Sequence, residues 1–336
     1  HILDHVTQVN AKDNGDIASL STKNNGEITG DLFIDCTGFN ALLIGQHYQV
    51  PFICKKHILF NDTALACHVP YASHDSPIAS HTISTGQSAG WIWDIGLPSR
   101  RGVGHVYSSA HISEQQAEAE LRDYIRANRA DIADELIIRK IDIKPGHRAL
   151  FWQNNCVAVG LSAGFLEPLE ASALVLVELS AQMISEQLPA SREVMDIVAK
   201  RFNDKFLYRW ERIIDFLKLH YVLTKRNDSD YWIDNCKAES IPHALQSLLT
   251  LWRYEAPWHH DFTQIDEVFP SASYQYVLYG MGFETQQRPT KRRSQDAQLA
   301  DLNFRKNSEL TQKLLSGLPT NRVLINKIRQ YGLQKI

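Results

Sequence analysis

The sequence predicts an α/β (α+β) protein with an antiparallel sheet and a helical C-terminal region. Three stretches carry that prediction. Residues 154–187 read as strand, glycine turn, helix: Cys156 to Val159 is a short apolar run of the buried-strand type, and Gly160 and Gly164 bracket a turn. Leu169, Ala173, Leu176 and Ile184 then recur at helical spacing until Pro189 stops the helix. Residues 45–110 alternate apolar and polar positions between frequent Pro, Gly and Ser, as antiparallel strands do. Beyond Pro189 the period becomes helical, with Phe202, Phe206, Trp210, Ile213, Ile214, Leu217 and His220 on one repeating face.

Taken in order, residues 1–44 read as a small β-meander and a buried strand. His1 to Val6 has strand character, and Asn14-Gly15 and Asn25-Gly26 are turn dipeptides between short strand-like runs. Asp31 to Phe39 is a strand closed by a tight turn at Thr37-Gly38. In Gly90-Trp91-Ile92-Trp93-Asp94-Ile95-Gly96, strand alternation puts Trp91, Trp93 and Ile95 on one face. Residues 113–130 form an amphipathic helix, with Ser113 as N-cap and Gln116 completing a capping box. His147 is read as a hydrogen-bonded structural histidine. Pro168 has no N–H to lose, so it suits the first turn of the 168–187 helix. Later helices are expected over 241–258, in the aromatic-rich 262–283 stretch, and over 305–331; residues 284–300, with Lys291-Arg292-Arg293, read as a solvated linker.

Composition narrows the function classes. The chain has 336 residues, 44% hydrophobic and 22% charged, so its length allows a large core or two domains. A net charge of -3 gives no electrostatic argument for nucleic acid. No apolar run reaches the length of a membrane span. Five cysteines, odd in number and without a CxxC pair or metal spacing, point to reduced thiols in the cytoplasm and to no metal site. Residue 1 is His, and no GxGxxG phosphate fingerprint occurs, which leads to the expectation that an upstream piece of the natural protein is absent from this sequence.

The segment Asn155-Cys156-Val157-Ala158-Val159-Gly160-Leu161-Ser162-Ala163-Gly164-Phe165-Leu166-Glu167-Pro168-Leu169-Glu170-Ala171-Ser172-Ala173-Leu174 resembles the second flavin motif of the flavin-dependent tryptophan halogenases, and its Gly-Phe-Leu-Glu-Pro-Leu-Glu core is specific. Weaker resemblance extends from about Asp31 to Phe283. The Asp31 to Gly38 strand is similar to the family's flavin-side segment. The Trp91, Trp93, Ile95 strand looks like its Trp-x-Trp-x-Ile-Pro signature, with Gly96 where the proline stands and a proline at 98 instead. His220-Tyr221 and Arg226 to Trp232 resemble a further block, read as scaffold.

The resemblance implies an FAD-binding domain of the flavin monooxygenase/halogenase type. Residues 1–44 would be the remainder of that domain, 45–150 the antiparallel substrate-side sheet, 151–190 the FAD- and halide-binding strand-turn-helix, and 191–336 the helical substrate region. It implies FADH2, dioxygen, chloride or bromide as cofactors, and hypohalous acid formed from a flavin hydroperoxide and halide. A separate flavin reductase, an aromatic small-molecule substrate and a homodimer are the implied partners. Glu170 falls on the catalytic glutamate. Ser172 and Ala173, where the family often has Thr-Gly, fall on the residues whose backbone amides hold the halide. Thr37, Gly38, Gly160, Leu161, Ala163 and Gly164 fall on flavin contacts. Physical chemistry asks for the same groups: a helix start gathers free N–H groups and positive dipole for an anion, and a carboxylate accepts the proton of a cationic ring intermediate. Glu167 is the alternative carboxylate, or else a helix-start acid favoured by the dipole. The family's lysine and GxGxxG turn have no counterpart in these residues, so the chain alone is expected neither to retain FAD well nor to halogenate.

Free-tryptophan members of the family carry a long aromatic block that grips the amino acid; the stretch from Trp258 to Tyr274 is short and has no such block, so the resemblance implies a substrate other than free tryptophan, an indole or a larger indole or phenol. Two readings compete. An FAD-dependent aromatic monooxygenase shares the strand and turn, but the Glu-Pro-Leu-Glu helix and the paired tryptophans count against it. A non-catalytic helical binding module is the other.

Overall fold

The computed structural model describes residues 1–264, 267–286 and 294–333. The chain divides into two compact units that interleave in sequence. One comprises His1–Asp62, Asp142–Leu249 and Pro257–Phe283; the other comprises Thr63–Ile141, Thr250–Ala256 and Glu284–Ile336.

The first unit opens with an antiparallel meander of β1 (Val6–Ala11), β2 (Ile17–Thr22) and β3 (Gly26–Thr29). Gly15 and Gly26 take the left-handed φ values, +85° and +72°, that the two Asn-Gly turns require. Strand structure begins at Val6 rather than His1. Before it, the chain is tied down by local bonds, such as the Lys23 amide to the His5 carbonyl. β4 (Phe33–Asp35) follows, with Ile17, Phe33, Leu43 and Cys156 forming a small buried core beside it. β5 (Phe52–Cys54) ends this portion.

The second unit is built on β6 (Thr63–Pro70), β7 (Ile83–Gln87), β8 (Gly90–Gly96) and β9 (Arg100–Tyr107), all antiparallel, as the alternation predicts. Helix α1 (Glu114–Arg129) buries Ala117, Leu121 and Ile125 against Leu65, Val69, Ile92 and Val103 of that sheet. The Ser113 hydroxyl accepts the Gln116 amide (3.2 Å). The Gln116 side chain does not close the box; it turns to Glu120 (3.4 Å). β10 (Arg139–Asp142) completes the sheet order β10-β6-β9-β8-β7.

The chain then returns to the first unit. β11 (Gly146–Arg148) pairs with β5; β12 (Trp152–Gln153) and β13 (Cys156–Ala158) follow, and β13 runs parallel to β4. β14 (Gly164–Phe165) pairs with β11. Helix α2 (Ser172–Glu186) leads to the long α3 (Arg192–Val222), whose Phe202, Phe206 and Trp210 pack on Phe151, Trp152 and His147. Burying each such ring stabilises by roughly 1.5–3 kcal/mol. Asn203 of α3 fixes the register of this packing: its carbonyl accepts the Phe151 and Trp152 amides (2.8 Å each) and its NH2 donates to the Trp152 carbonyl (2.8 Å).

Short α4 (Asp230–Asn235) precedes α5 (His243–Trp252) and α6 (Ser271–Gly280). α5 stops at Trp252, five residues before the proline that sequence reading used as its terminator. The expected 305–331 helix is two helices, α7 (Ser294–Gly317) and α8 (Asn321–Tyr331), split at Leu318 to Thr320; the Thr320 hydroxyl caps the second by accepting the Val323 amide (3.4 Å). Residues 294–300 are therefore helix, while Lys291-Arg292-Arg293 lie outside the described residues. Among the described residues no helix is long and apolar enough to cross a membrane, and no group of three or more His, Cys, Asp or Glu could hold a metal ion.

Candidate functional site

The site grows from the β13 strand. After Ala158 the chain turns at Gly160, whose φ of +74° would cost an L-residue roughly 1–2 kcal/mol. The Val159 amide donates to the Asp35 carbonyl (3.1 Å), and so does the Ser162 hydroxyl. These bonds hold the 160–162 turn beside the Thr37-Gly38 turn. Asp35, fully buried, accepts the Leu43 and Ile44 amides on one oxygen (2.9 and 2.8 Å) and the Thr37 amide and hydroxyl on the other (3.0 and 2.6 Å). Gly164 lies so close to β11 that a Cβ there would sit 2.5 Å from the Gly146 carbonyl oxygen.

Glu167 is 2% exposed. Its Oε2 accepts the Asn61 side-chain amide and the Tyr221 hydroxyl (2.6 Å each), and the Tyr231 hydroxyl donates to the Asn61 carbonyl (3.0 Å). A carboxylate buried this way and bonded from two sides ties the turn to Asn61 and to α3. Burial raises the Tyr221 and Tyr231 hydroxyls well above the usual range, with the Glu167 charge adding to it.

The helix begins later than expected. Pro168 opens a tight 169–171 turn rather than α2 itself, and Glu170 (φ 62°, ψ 13°) and Ala171 (φ 51°, ψ 24°) are both left-handed. Two consecutive non-glycine residues in that region cost roughly 1–2 kcal/mol each, and such strain persists only where the surroundings hold it. Ser172 and Ala173 are consequently the first two residues of α2, and their amides, at the positive end of the dipole, have no partner inside the helix. Ser172 is buried.

Glu170 is half-exposed, and its Oε1 lies 3.1 Å from Nε2 of His220. The hydrogen bond from His220 holds the carboxyl below the usual range, partial burial opposing it. Sequence reading placed His220 in scaffold; the structure puts it against the predicted catalytic carboxylate, 50 residues away in the chain. Nearby in α3, Lys218 is fully buried, donates to the Asn235 carbonyl oxygen (2.8 Å) and lies over the Phe60 ring (4.8 Å). Burial pushes its ammonium down to about 7. Its sequence signal was a lysine set between Leu217 and Leu219 in a mainly apolar stretch of the helix.

An apolar cavity of about 250 Å³ lies beside the turn. Gly160, Leu161, Ala163, Gly164 and Ala173 line it, facing Phe206 and Trp210. Five of the predicted residues are thus gathered on one space. Thr37 and Gly38 sit at the adjoining turn, and Glu170 and Ser172 in the 170–172 stretch, outside that lining. Trp91, Trp93 and Ile95 belong to β8 of the other unit. Trp91 and Trp93 share a face, their rings 6.3 Å apart at 67°, and Trp93 covers Gly104, where a Cβ would meet the indole at 2.1 Å. His147, buried with Nδ1 2.9 Å from the Arg148 carbonyl and its ring beside Trp210, is the structural histidine expected. Cys36, Cys54, Cys67, Cys156 and Cys236 are all free thiols.

The tryptophan halogenase family model matches residues 1–296, and the chain belongs to that family. It is 35% identical over 282 residues to the tryptophan 6-halogenase SttH of Streptomyces toxytricini, covering 84% of this chain and 53% of that protein. Its fold superposes on the crystal structure of a tryptophan halogenase from Shewanella frigidimarina with a TM-score of 0.96 at 52% identity, covering 100% of this chain and 64% of that one. A tryptophan C-6 flavin-dependent halogenase (chlorinase) from taromycin biosynthesis gives a TM-score of 0.91 at 32% identity, over 98% and 64%. The chain spans about half the length of the curated relatives it matches.

Proposed function

We propose that this chain carries the halide and carboxylate side of an FADH2-dependent halogenase that acts on an electron-rich aromatic ring of the indole type. The observation that carries the reading is the juxtaposition of Glu170, on a strained turn, with the two amides that open α2 and an apolar cavity that Ala173 lines.

The residues present fit a flavin. A glycine turn bare of side chains, an apolar cavity and a helix start suit a flat ring with a polar edge. The chemistry that bound FADH2 supplies is dioxygen activation, which converts chloride or bromide to an electrophilic halogen. The amides of Ser172 and Ala173 hold the halide; Ala173 keeps a right-handed helical backbone there, so its Cβ does not disturb the donor. The apolar wall made by Leu161, Phe206 and Trp210 excludes water from that space. As a carbon–halogen bond forms at the ring, Glu170 stabilises the cationic intermediate and takes the proton from the same carbon, restoring aromaticity. Thr37, Gly38, Gly160, Leu161, Ala163 and Gly164 are the proposed flavin contacts, with Trp91, Trp93 and Ile95 the flavin-adjacent strand. A separate reductase supplies the reduced flavin, in a cytoplasmic setting, and the protein is proposed to act as a homodimer.

The test is an assay of the full-length protein with FAD, a flavin reductase, chloride or bromide, and an aromatic panel read by mass spectrometry. The panel contains free tryptophan, as the relatives' names direct, and indole and larger indoles or phenols, as the short 258–274 stretch directs. Halide-dependent mass gains support the reading. Hydroxylated products formed equally with and without halide would establish the monooxygenase instead.

A further inference from the structure

We propose that His220 is the positioning residue of the Glu170 carboxylate, a role that rests on the halogenase reading of Glu170. Glu170 stands on a left-handed backbone, so the direction of its side chain is not fixed by ordinary helix geometry. Two bonds from one turn of α3 hold the strained segment: Tyr221 to Glu167 at its start and His220 to Glu170 in its middle.

The imidazole is itself oriented. Its Nδ1 lies 2.9 Å from the Phe216 carbonyl, one turn back, so the Nδ1 hydrogen donates there. The ring also stands edge-on to Phe216 at 5.1 Å, and Phe216 in turn stacks on Phe269 at 4.0 Å and packs against Tyr274 at 4.8 Å. With Nδ1 committed, Nε2 meets a carboxylate oxygen, and two lone pairs cannot face each other at 3.1 Å without repulsion. The contact is satisfied when a proton lies between them. His220 therefore occupies Oε1, keeps the carboxylate ionised, and leaves Oε2 as the oxygen offered to the ring proton.

The other ionisable groups on the packed elements are committed elsewhere. Glu167 and Tyr221 bond each other, Lys218 donates to Asn235, and the hydrogen bond from His220 is the largest influence holding Glu170 low. A merely structural histidine would affect folding but would not set the titration of Glu170 or the pH dependence of turnover.

Two readouts test this on His220→Leu, which removes the donor, and His220→Gln, whose side-chain amide can donate at similar reach. The first is the carboxyl carbon resonance of Glu170 in labelled protein, assigned by its loss in Glu170→Gln. Its midpoint is expected to rise toward the ordinary glutamate range in His220→Leu and to stay low in His220→Gln. The second is turnover of the full-length protein. His220→Leu is expected to lower kcat on the order of 10- to 100-fold with KM nearly unchanged, to move the acid limb of the pH profile upward, and to be largely rescued by His220→Gln. An unchanged Glu170 midpoint in His220→Leu overturns the proposal. If His220→Leu does not fold, the same comparison with His220→Asn, whose amide is too short to reach Oε1, decides it. Should the wild-type protein halogenate nothing in the panel, the functional reading fails while the resonance titration still decides the pairing.

Discussion

Replacing Lys218 with methionine should change how stability depends on pH, by an amount that the burial of this residue sets. The ammonium falls from 10.5 to about 7 in the folded chain because its surroundings replace water poorly, and Cys236 and Glu167 offset only part of that cost. In the unfolded chain the group keeps its proton to about 10.5, so between the two values the unfolded chain binds more protons. Stability therefore rises with pH across that window, the reverse of a salt-bridged lysine. The whole gap is worth about 5 kcal/mol, and the part between about pH 6 and about pH 9 is worth about 3 kcal/mol. Methionine lacks this dependence and leaves the Asn235 carbonyl oxygen without its donor, a loss of about 1–3 kcal/mol that does not vary with pH. Urea unfolding of both proteins, followed by tryptophan fluorescence, gives the stability difference at each pH. That difference should move by about 3 kcal/mol in favour of the wild type as pH is raised. A gap that stays constant would mean that Lys218 is hydrated in the native chain and that the burial argument is wrong.

Glu170→Gln keeps the shape of the side chain but removes the base, so halogenation should fall on the order of 100-fold in single-turnover assays while the thermal midpoint stays nearly unchanged. Ala173→Pro deletes one proposed halide donor at a first-turn position where proline is tolerated; the halide concentration for half-maximal rate should rise several-fold, with the helix content by circular dichroism preserved. Gly164→Ala places a methyl 2.5 Å from the Gly146 carbonyl oxygen, so β14 must leave β11, and a denaturant titration should show roughly 1–3 kcal/mol less stability.

Much of the fold was legible because period and turn chemistry are local. The two Asn-Gly turns, the alternation from Thr63 to Tyr107 and the apolar face of α3 all report on neighbours a few residues away. The start of α2 was not legible. Pro168 is a sound first-turn residue, but Glu170 and Ala171 are both left-handed, with Glu170 bonded to His220 of α3, and no local preference of either residue signals that. The same holds for the site. The glycine turn and Glu170 could be picked out from the string of residues, whereas the Glu170–His220 contact spans 50 positions and the Glu167–Asn61 contact 106. Stop signals misled as well: α5 ends at Trp252, ahead of its proline, and α7 gives way to α8 at a threonine cap set between two helical patterns that read as one.

Tyr221 and His220 are consecutive residues, so the tethers on Glu167 and Glu170 leave the same turn of one long rod. Sliding or rotating α3 by a single residue would drag both acids at once. Variation that reshapes the aromatic packing along Phe202 to Trp210 is thereby confined to changes that preserve the helix's phase at its far end.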